Sequence, residues 1–562
     1  MRISFTTLYV ATLMISSFKL FGRRVLSTTT VVDALAFLTV GKRPSVLPLG
    51  WQRCSNHRSI HATSLLASLI QGDVQEDNKP LAPRKFVDKP FQYHEELIIR
   101  IDSLTNMGWG IGRVSVDPAR MRKDTTTDND DATTIESAPD ERLWVVMVPH
   151  VVVGELVKVR IFRNQRSYSE ADLVEILEPS PHRVEPKCAL AGLCGGCQYQ
   201  HMSIEAQREW KTKHVEEVLL QQKIHGYTTA NDLKVLPTLG TNEVYHYRSK
   251  LTPHYNAPRE IGVDTYEMEA IGFQQSSNRN LVDVPECPIA TEAINEKYQS
   301  VRAELHDKAK QGLLNQKKKK RGSRNGALGA TLLFRQADND PNTGEPVVIT
   351  DHNEYMITSV KDLKFRYLAG NFFQNNNFVL PLMVDAVLDA ATQPVANGDA
   401  PSFLIDCYCG SGLFALSAAS KFQVCVGIEV NERAVEEATA NAQLNGISNS
   451  RFLAASAEAI FQSPKNIQVP GLEETTVQEF PRDRTVVVLD PPRKGCSEEF
   501  LEQLYEYSPQ RIVYMSCGPA TQARDAKGIV EIGGYRIVST QPIDLFPQTK
   551  HIECLMVFEK QS

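Results

Sequence analysis

From about Asn371 to the C-terminus, short apolar runs alternate with stretches of helical period, which predicts a doubly wound, Rossmann-like α/β domain over 371–562. The runs Phe403-Leu-Ile, Gly427-Ile-Glu429, Thr485-Val-Val-Val-Leu489 and Ile512-Val-Tyr-Met515 read as buried parallel strands. Between them, Phe414 to Ser420 reads as a helix, and Val435, Ala438 and Ala442 recur at helical spacing before a C-capping Gly446. Every predicted strand tip then carries chemistry. The first ends in Asp406-Cys-Tyr408-Cys-Gly410-Ser-Gly412, the second in Glu429, the third in Asp490-Pro-Pro-Arg-Lys-Gly495 and the fourth in Cys517-Gly-Pro. Ligands of open parallel sheets bind at that edge, so these four tips describe one active site.

Upstream the period changes from helical to alternating. Glu96 to Ile101, Trp144 to Pro149, Glu155 to Ile161 and Ala171 to Leu177 read as short strands separated by glycine turns, which predicts a small OB-like barrel over 91–183. Residues 124–141 interrupt it with seven acids, no base and many threonines, the composition of a solvated, disordered insertion. A central domain over 184–370 follows. In it Trp210, Val215, Val218 and Leu219 share a helical face expected to pack on the α/β domain. Tyr245-His-Tyr247-Arg248-Ser-Lys250 interleaves rings with cations, as a nucleic-acid-stacking surface or a plain strand would. Six cations fall between Lys317 and Arg324, a solvated run or a phosphate contact.

Net charge changes the picture little: at −6 the chain does not advertise nucleic acid, and such contacts have to come from local patches. The first 75 residues differ from the rest. Eight Lys or Arg and one acid precede Gly72, with an apolar stretch from Phe5 to Phe18 and a small-residue cleavage pattern at Ala34-Leu-Ala36. This is the composition of a leader for plastid or mitochondrial import, and the chain is cytoplasmic if that reading fails. No apolar run reaches the ~18 residues of a membrane span, so no stable membrane association is expected of the mature form.

Eleven cysteines are too scattered for a disulfide scaffold, yet Cys188, Cys194 and Cys197 fall within ten residues beside glycines. With Cys287 in Pro285-Glu-Cys-Pro288 they make a tetrathiolate set for an iron–sulfur cluster, with zinc as the competing metal. In the α/β domain, Glu429 stands nineteen residues beyond Gly410, the interval at which an acid meets the ribose hydroxyls of an adenosyl ligand. Position 415 is Ala, so the third glycine of a dinucleotide fingerprint is missing, which points to S-adenosylmethionine. A thiol at the next strand tip is superfluous if the methyl acceptor is an amine. It is needed if the acceptor is a carbon.

Phe373-Gln374-Asn375, Asp406-Cys-Tyr408-Cys-Gly-Ser-Gly, Asp490-Pro-Pro-Arg-Lys-Gly, Ser516-Cys517-Gly-Pro and Phe546-Pro-Gln-Thr-Lys-His551-Ile-Glu553 together resemble the motif series of RNA uracil-5-methyltransferases. Gly154-Glu155 and Pro179-Ser-Pro-His-Arg183 resemble a TRAM domain, and with the cysteines the likeness covers roughly 91–562. It is nearest the TRAM-bearing, 4Fe–4S branch whose bacterial members modify ribosomal RNA. The resemblance implies that Gln374, Tyr408, Glu429 and Asp490 bind S-adenosylmethionine, that Cys517 is the nucleophile and Glu553 the general base, and that Cys188, Cys194, Cys197 and Cys287 hold the cluster. It implies a monomer acting on RNA, ribosomal before transfer RNA; a non-catalytic RNA-binding protein is the alternative. Two positions depart from the pattern: Gly518 replaces the usual Asn, and Leu413 stands where some members have Asn.

Overall fold

Alternation of apolar and polar residues closes the N-terminal segment into a five-stranded barrel. Its strands are β1 Glu96–Leu104, β2 Gly110–Ser115, β3 Leu143–Val148, β4 Leu156–Asn164 and β5 Tyr168–Glu178, joined in the order β1-β2-β3-β5-β4. Ile99, Ile101, Val146, Val148, Val157, Val159 and Ile161 fill the interior, each within a few percent of full burial. Every such side chain contributes about 1.5–3 kcal/mol relative to an exposed one. Glu155 is buried with them because Arg183 pairs with it (2.5 Å) and Val152 N donates to it (2.8 Å).

The computed structural model describes residues 86–117, 120, 143–263, 265–315, 329–394, 400–457, 468–469, 472–476 and 479–561. The expected leader (1–75), the acidic insertion (124–141) and the Lys317–Arg324 run lie outside the described residues. Among the described residues no helix is long and apolar enough to cross a membrane.

Helix α1, Ile204–Gln221, is N-capped by Ser203, whose side chain accepts from Ala206 N. Its predicted apolar face is real but serves two cores. Trp210 packs with Leu104, Val152, Tyr199 and Met202 beside the barrel, whereas Val215 and Leu219 join the core of the α/β domain. The helix therefore bolts the N-terminal half to the C-terminal half. Within the aromatic-cation segment Tyr247 is corrected: it is 1% exposed and donates its hydroxyl to Pro547 O (2.9 Å), so it is a packing residue and not a stacking platform, whereas Tyr245 is half-buried with Lys187 over its ring.

The C-terminal sheet has seven strands: β6 Phe403–Cys407, β7 Val424–Glu429, β8 Ser450–Ala454, β9 Thr485–Leu489, β10 Arg511–Ser516, β11 Tyr535–Ile543 and β12 Glu553–Lys560. Their order is β8-β7-β6-β9-β10-β12-β11. The predicted strands β6, β7, β9 and β10 are parallel neighbours, with Phe403 opposite both Val424 and Thr485. The sheet is not wholly parallel, however. β12 lies antiparallel between β10 and β11, because the loop from Asp544 to Ile552 returns the chain directly and no crossover helix intervenes. Helices α2 Leu413–Ala418, α3 Glu432–Leu444, α4 Glu498–Tyr507 and α5 Pro519–Glu531 connect the strands and leave their C-terminal ends on one edge.

Candidate active site

At the tip of β6 the chain turns through Tyr408 (φ +67°), Gly410 (+53°) and Gly412 (+89°) before α2 begins. A side chain at Gly412 would meet Phe452 at 3.0 Å and Leu416 at 3.1 Å, so glycine is required there by packing as well as by conformation. Gly410 has open space where a Cβ would stand, which leaves the loop backbone accessible to a ligand. Gly410 N donates to one Glu429 oxygen (3.2 Å), and Asn431 N to the other (2.9 Å). The carboxylate is thus fixed with lone pairs still free for a diol. Beside it Val430, 72% exposed, supplies an apolar wall. These groups fit an adenosyl ligand.

The turn after β9 is held from the other side. Asp525 on α5 accepts from Cys496 N (2.9 Å), and Arg524 donates to Lys494 O (3.1 Å). Gly495 (φ +79°) faces Asp525 so closely that a Cβ would come within 2.6 Å of its carboxylate. Pinned in this way, Asp490 stands at the cleft wall, and burial raises its pKa to about 7. Cys517, half-buried, follows β10 and precedes the first turn of α5, whose positive end favours a thiolate. Burial pushes its pKa up, Glu553 and Asp490 add to the rise, and the Arg493 guanidinium opposes it.

Glu553 opens β12, opposite Ile543, and is buried rather than an exposed strand acid. Its pKa rises to about 8, first through burial and then through Asp490, against the pull of Arg493 and Lys211. Gln374 is buried on the segment ahead of the sheet, where Arg335 donates to Phe373 O (3.0 Å) and Asn376 to Leu545 O (2.9 Å).

Cys517, Glu553, Asp490, Gln374, Tyr408 and Glu429 all line a single cleft of about 720 Å³. Every catalytic and cofactor residue expected from the sequence is therefore brought together. Arg493 and Phe546 line it too. The sequence assigns Arg493 no role, although its place in the Asp-Pro-Pro-Arg turn is a usable signal. Of the two departures, a Cβ at Gly518 would lie 2.8 Å from Thr521 Oγ1, which itself donates to Arg493 O (3.0 Å) and Gly518 O (2.9 Å). Thr521 occupies that space and ties the turn to the nucleophile. Leu413 starts α2 and packs on the core.

Cys188, Cys194, Cys197 and Cys287 line a second, smaller cavity of about 300 Å³, together with Thr549 and His551. Burial, and then the neighbouring thiols, raise Cys197 to about 12, and burial takes Cys287 to about 11. Among the described residues no group of three or more His, Cys, Asp or Glu is arranged to hold a metal ion. The expected iron–sulfur domain is thus reduced to four thiols around one cavity. Four sulfur donors around one cavity suit a metal cluster in their chemistry. The other described cysteines of the α/β domain, Cys407, Cys409, Cys425, Cys496 and Cys554, are buried packing residues as expected.

A family model described as tRNA (Uracil-5-)-methyltransferase matches residues 347–561. Over 482 residues the chain is 34% identical to the tRNA (uracil(54)-C(5))-methyltransferase of Schizosaccharomyces pombe, a match covering 84% of this chain and 79% of that protein. An uncharacterized RNA methyltransferase of Halalkalibacterium halodurans is 31% identical over 454 residues, 74% of this chain and 92% of the other. Among solved structures, the Pyrococcus abyssi tRNA (uracil-54, C5)-methyltransferase in complex with S-adenosyl-L-homocysteine superposes with a TM-score of 0.53 at 19% identity. That match covers 82% of this chain and all of the other, and it speaks to the fold.

Proposed function

The chain belongs to the RNA uracil-5-methyltransferase family and is an S-adenosylmethionine-dependent enzyme, and from that premise we propose that it methylates carbon 5 of a uridine in transfer RNA, at the position equivalent to uracil-54. The motif resemblance alone favoured ribosomal RNA. Two yeast relatives named for uracil-54 of tRNA, 34% and 28% identical to this chain, tip the reading toward transfer RNA.

S-adenosylmethionine supplies an electrophilic methyl group on a sulfonium. Carbon 5 of uracil is too weak a nucleophile to take it unaided. Cys517 adds to carbon 6 and makes carbon 5 an enolate carbon, which accepts the methyl group. Glu553 then removes the carbon 5 proton, carbon 6 releases the thiolate and the ring is restored. Arg493 stabilises the thiolate, and the anchored Glu429 with Gln374, Tyr408 and Asp490 orients the donor. A target carbon shielded in a helix has to be flipped out or unpaired to reach Cys517. The observation that carries this reading is the convergence of six residues from six separate sequence stretches on one cleft.

The test is covalent capture of 5-fluorouridine-substituted tRNA by the native protein, in parallel with ribosomal RNA. Preferential adduct formation on ribosomal RNA would move the substrate, and absence of any adduct would remove the mechanism. We further propose that Cys188, Cys194, Cys197 and Cys287 take a 4Fe–4S cluster, to be checked by iron and sulfide content after anaerobic purification. Organellar import through the first 75 residues is proposed likewise, to be tested with a fluorescent fusion of that segment.

A further inference from the structure

We propose that Gln207 and Lys211, which lie on helix α1 outside the α/β domain, are positioning residues for Glu553 and serve the proton-abstraction step rather than the addition of Cys517. The inference rests on the roles given above to Cys517 and Glu553.

Glu553 is delivered by the loop from Asp544 to Ile552, and that loop is held from a distance. Gln207 and Gln548 bond to each other in both directions: Gln207 Nε2 donates to Gln548 Oε1 (3.0 Å), and Gln548 N donates to Gln207 Oε1 (2.9 Å), across 341 residues of sequence. Gln198 N and Tyr199 N both donate to Gln548 O (3.1 and 3.0 Å). Gln548 sits at φ +68°, a left-handed conformation unfavourable for a residue with a side chain, which persists only where the surroundings enforce it. Lys211 donates to Asp544 Oδ1 (2.5 Å) and to Phe546 O (3.2 Å), with both ionic side chains 0% exposed. Removing one partner of such a pair leaves an uncompensated charge inside the protein.

Lys211 also acts on the carboxylate through space. The charged and titratable groups coupled to Glu553 are Asp490, Arg493, Lys211, Cys517 and Cys554, and of these Lys211 and Arg493 favour its ionised form. Cys517 depends directly on neither Gln207 nor Lys211, because its own supports come from β10, α5 and the Arg493 turn. Gln207 and Lys211 thus hold the Glu553 loop directly and reach Cys517 only through the pairing of Ser516 with Cys554. In the abstraction step the Glu553 carboxylate takes the carbon 5 proton, the C–H electron pair becomes the C5–C6 double bond, and the C6–S pair returns to Cys517 as thiolate.

The experiment compares Lys211→Met, Lys211→Arg and Gln207→Leu in the full-length protein. With S-adenosylmethionine and unmodified RNA, Lys211→Met and Gln207→Leu are expected to accumulate the methylated covalent enzyme–RNA species and to lose about 100-fold in turnover. Adduct formation with 5-fluorouridine RNA stays within about threefold of wild type, Lys211→Arg recovers most of the turnover, and the pH midpoint of product release in Lys211→Met moves to the alkaline side. Equal loss of adduct formation and turnover in variants that keep the wild-type melting transition would overturn the proposal, as would unchanged turnover. Should Lys211→Met fail to fold, the uncharged Gln207→Leu substitution carries the same comparison. Failure of the wild type itself to form an adduct would instead strike the assignment of Cys517.

Discussion

Cysteine is used in opposite ways at the catalytic cleft and at the tetracysteine pocket. Cys517 stands at a strand tip before a helix N-terminus, half-buried, with a cleft of about 720 Å³ in front; burial, Glu553 and Asp490 raise its pKa, and Arg493 against it opposes the rise. Cys188, Cys194, Cys197 and Cys287 stand on loops around about 300 Å³, and burial drives Cys197 and Cys287 to about 12 and about 11. A thiol meant to attack carbon needs a cation and a dipole that make the thiolate accessible. Thiols that are buried close to one another resist ionisation, and Arg248 beside Cys287 and Gln200 beside Cys197 oppose that only in part. Reactivity is thus decided by what the backbone puts beside the sulfur, not by the sulfur.

Cys517→Ala draws this contrast most strongly: loss of both turnover and 5-fluorouridine adduct to below detection is expected, on the order of 10⁴-fold or more, as read on denaturing gels. Glu553→Gln is expected to lower turnover about 10²–10⁴-fold while methylated adduct accumulates on ordinary RNA, since only the second half of the reaction uses the carboxylate. Glu429→Ala removes charge-assisted hydrogen bonds worth about 1.5–3 kcal/mol and should weaken S-adenosylmethionine binding about 10–150-fold in calorimetry, with the RNA adduct preserved. Cys197→Ser should abolish iron incorporation yet leave 5-fluorouridine adduct formation within about tenfold. An equal loss of adduct would erase the distinction between the two sulfur sites.

The smallest effect concerns pH. Asp406, Asp490 and Glu553 have pKa values raised to about 8, about 7 and about 8 in the folded protein, so between pH 4.5 and 8 the folded state binds more protons than the unfolded chain. Stability from these groups is fully present below the unfolded carboxylate range and is lost as pH rises through about 7–8. The ligand-free protein should therefore melt a few degrees lower at pH 8.5 than at pH 5.5 in calorimetry. Release of product should accelerate over the same interval as Glu553 ionises.

The strand tips were legible because each is a local event: an apolar run sets the strand, Gly or Pro ends it, and the next residue is exposed at the edge. Asp406-Cys-Tyr408, Glu429, Asp490-Pro-Pro and Cys517-Gly-Pro all obey that logic, and the barrel strands follow from alternation alone. Tyr247 misled because rings and cations in alternation look the same whether the ring meets RNA or Pro547 O. Antiparallel β12 escaped notice because periodicity within a strand carries no direction.

By itself, then, the amino-acid order determined the elements, the residue types at their tips and hence the class of reaction. Tertiary structure alone decided that Arg493 faces Cys517, that burial and Asp490 lift Glu553 toward pH 8, and that Gln207 and Lys211 grip a loop 341 residues away in the case of Gln207. The reason is one of range: backbone preference and hydrophobic period act over a few residues, whereas desolvation and buried hydrogen bonds depend on which distant segments exclude water together.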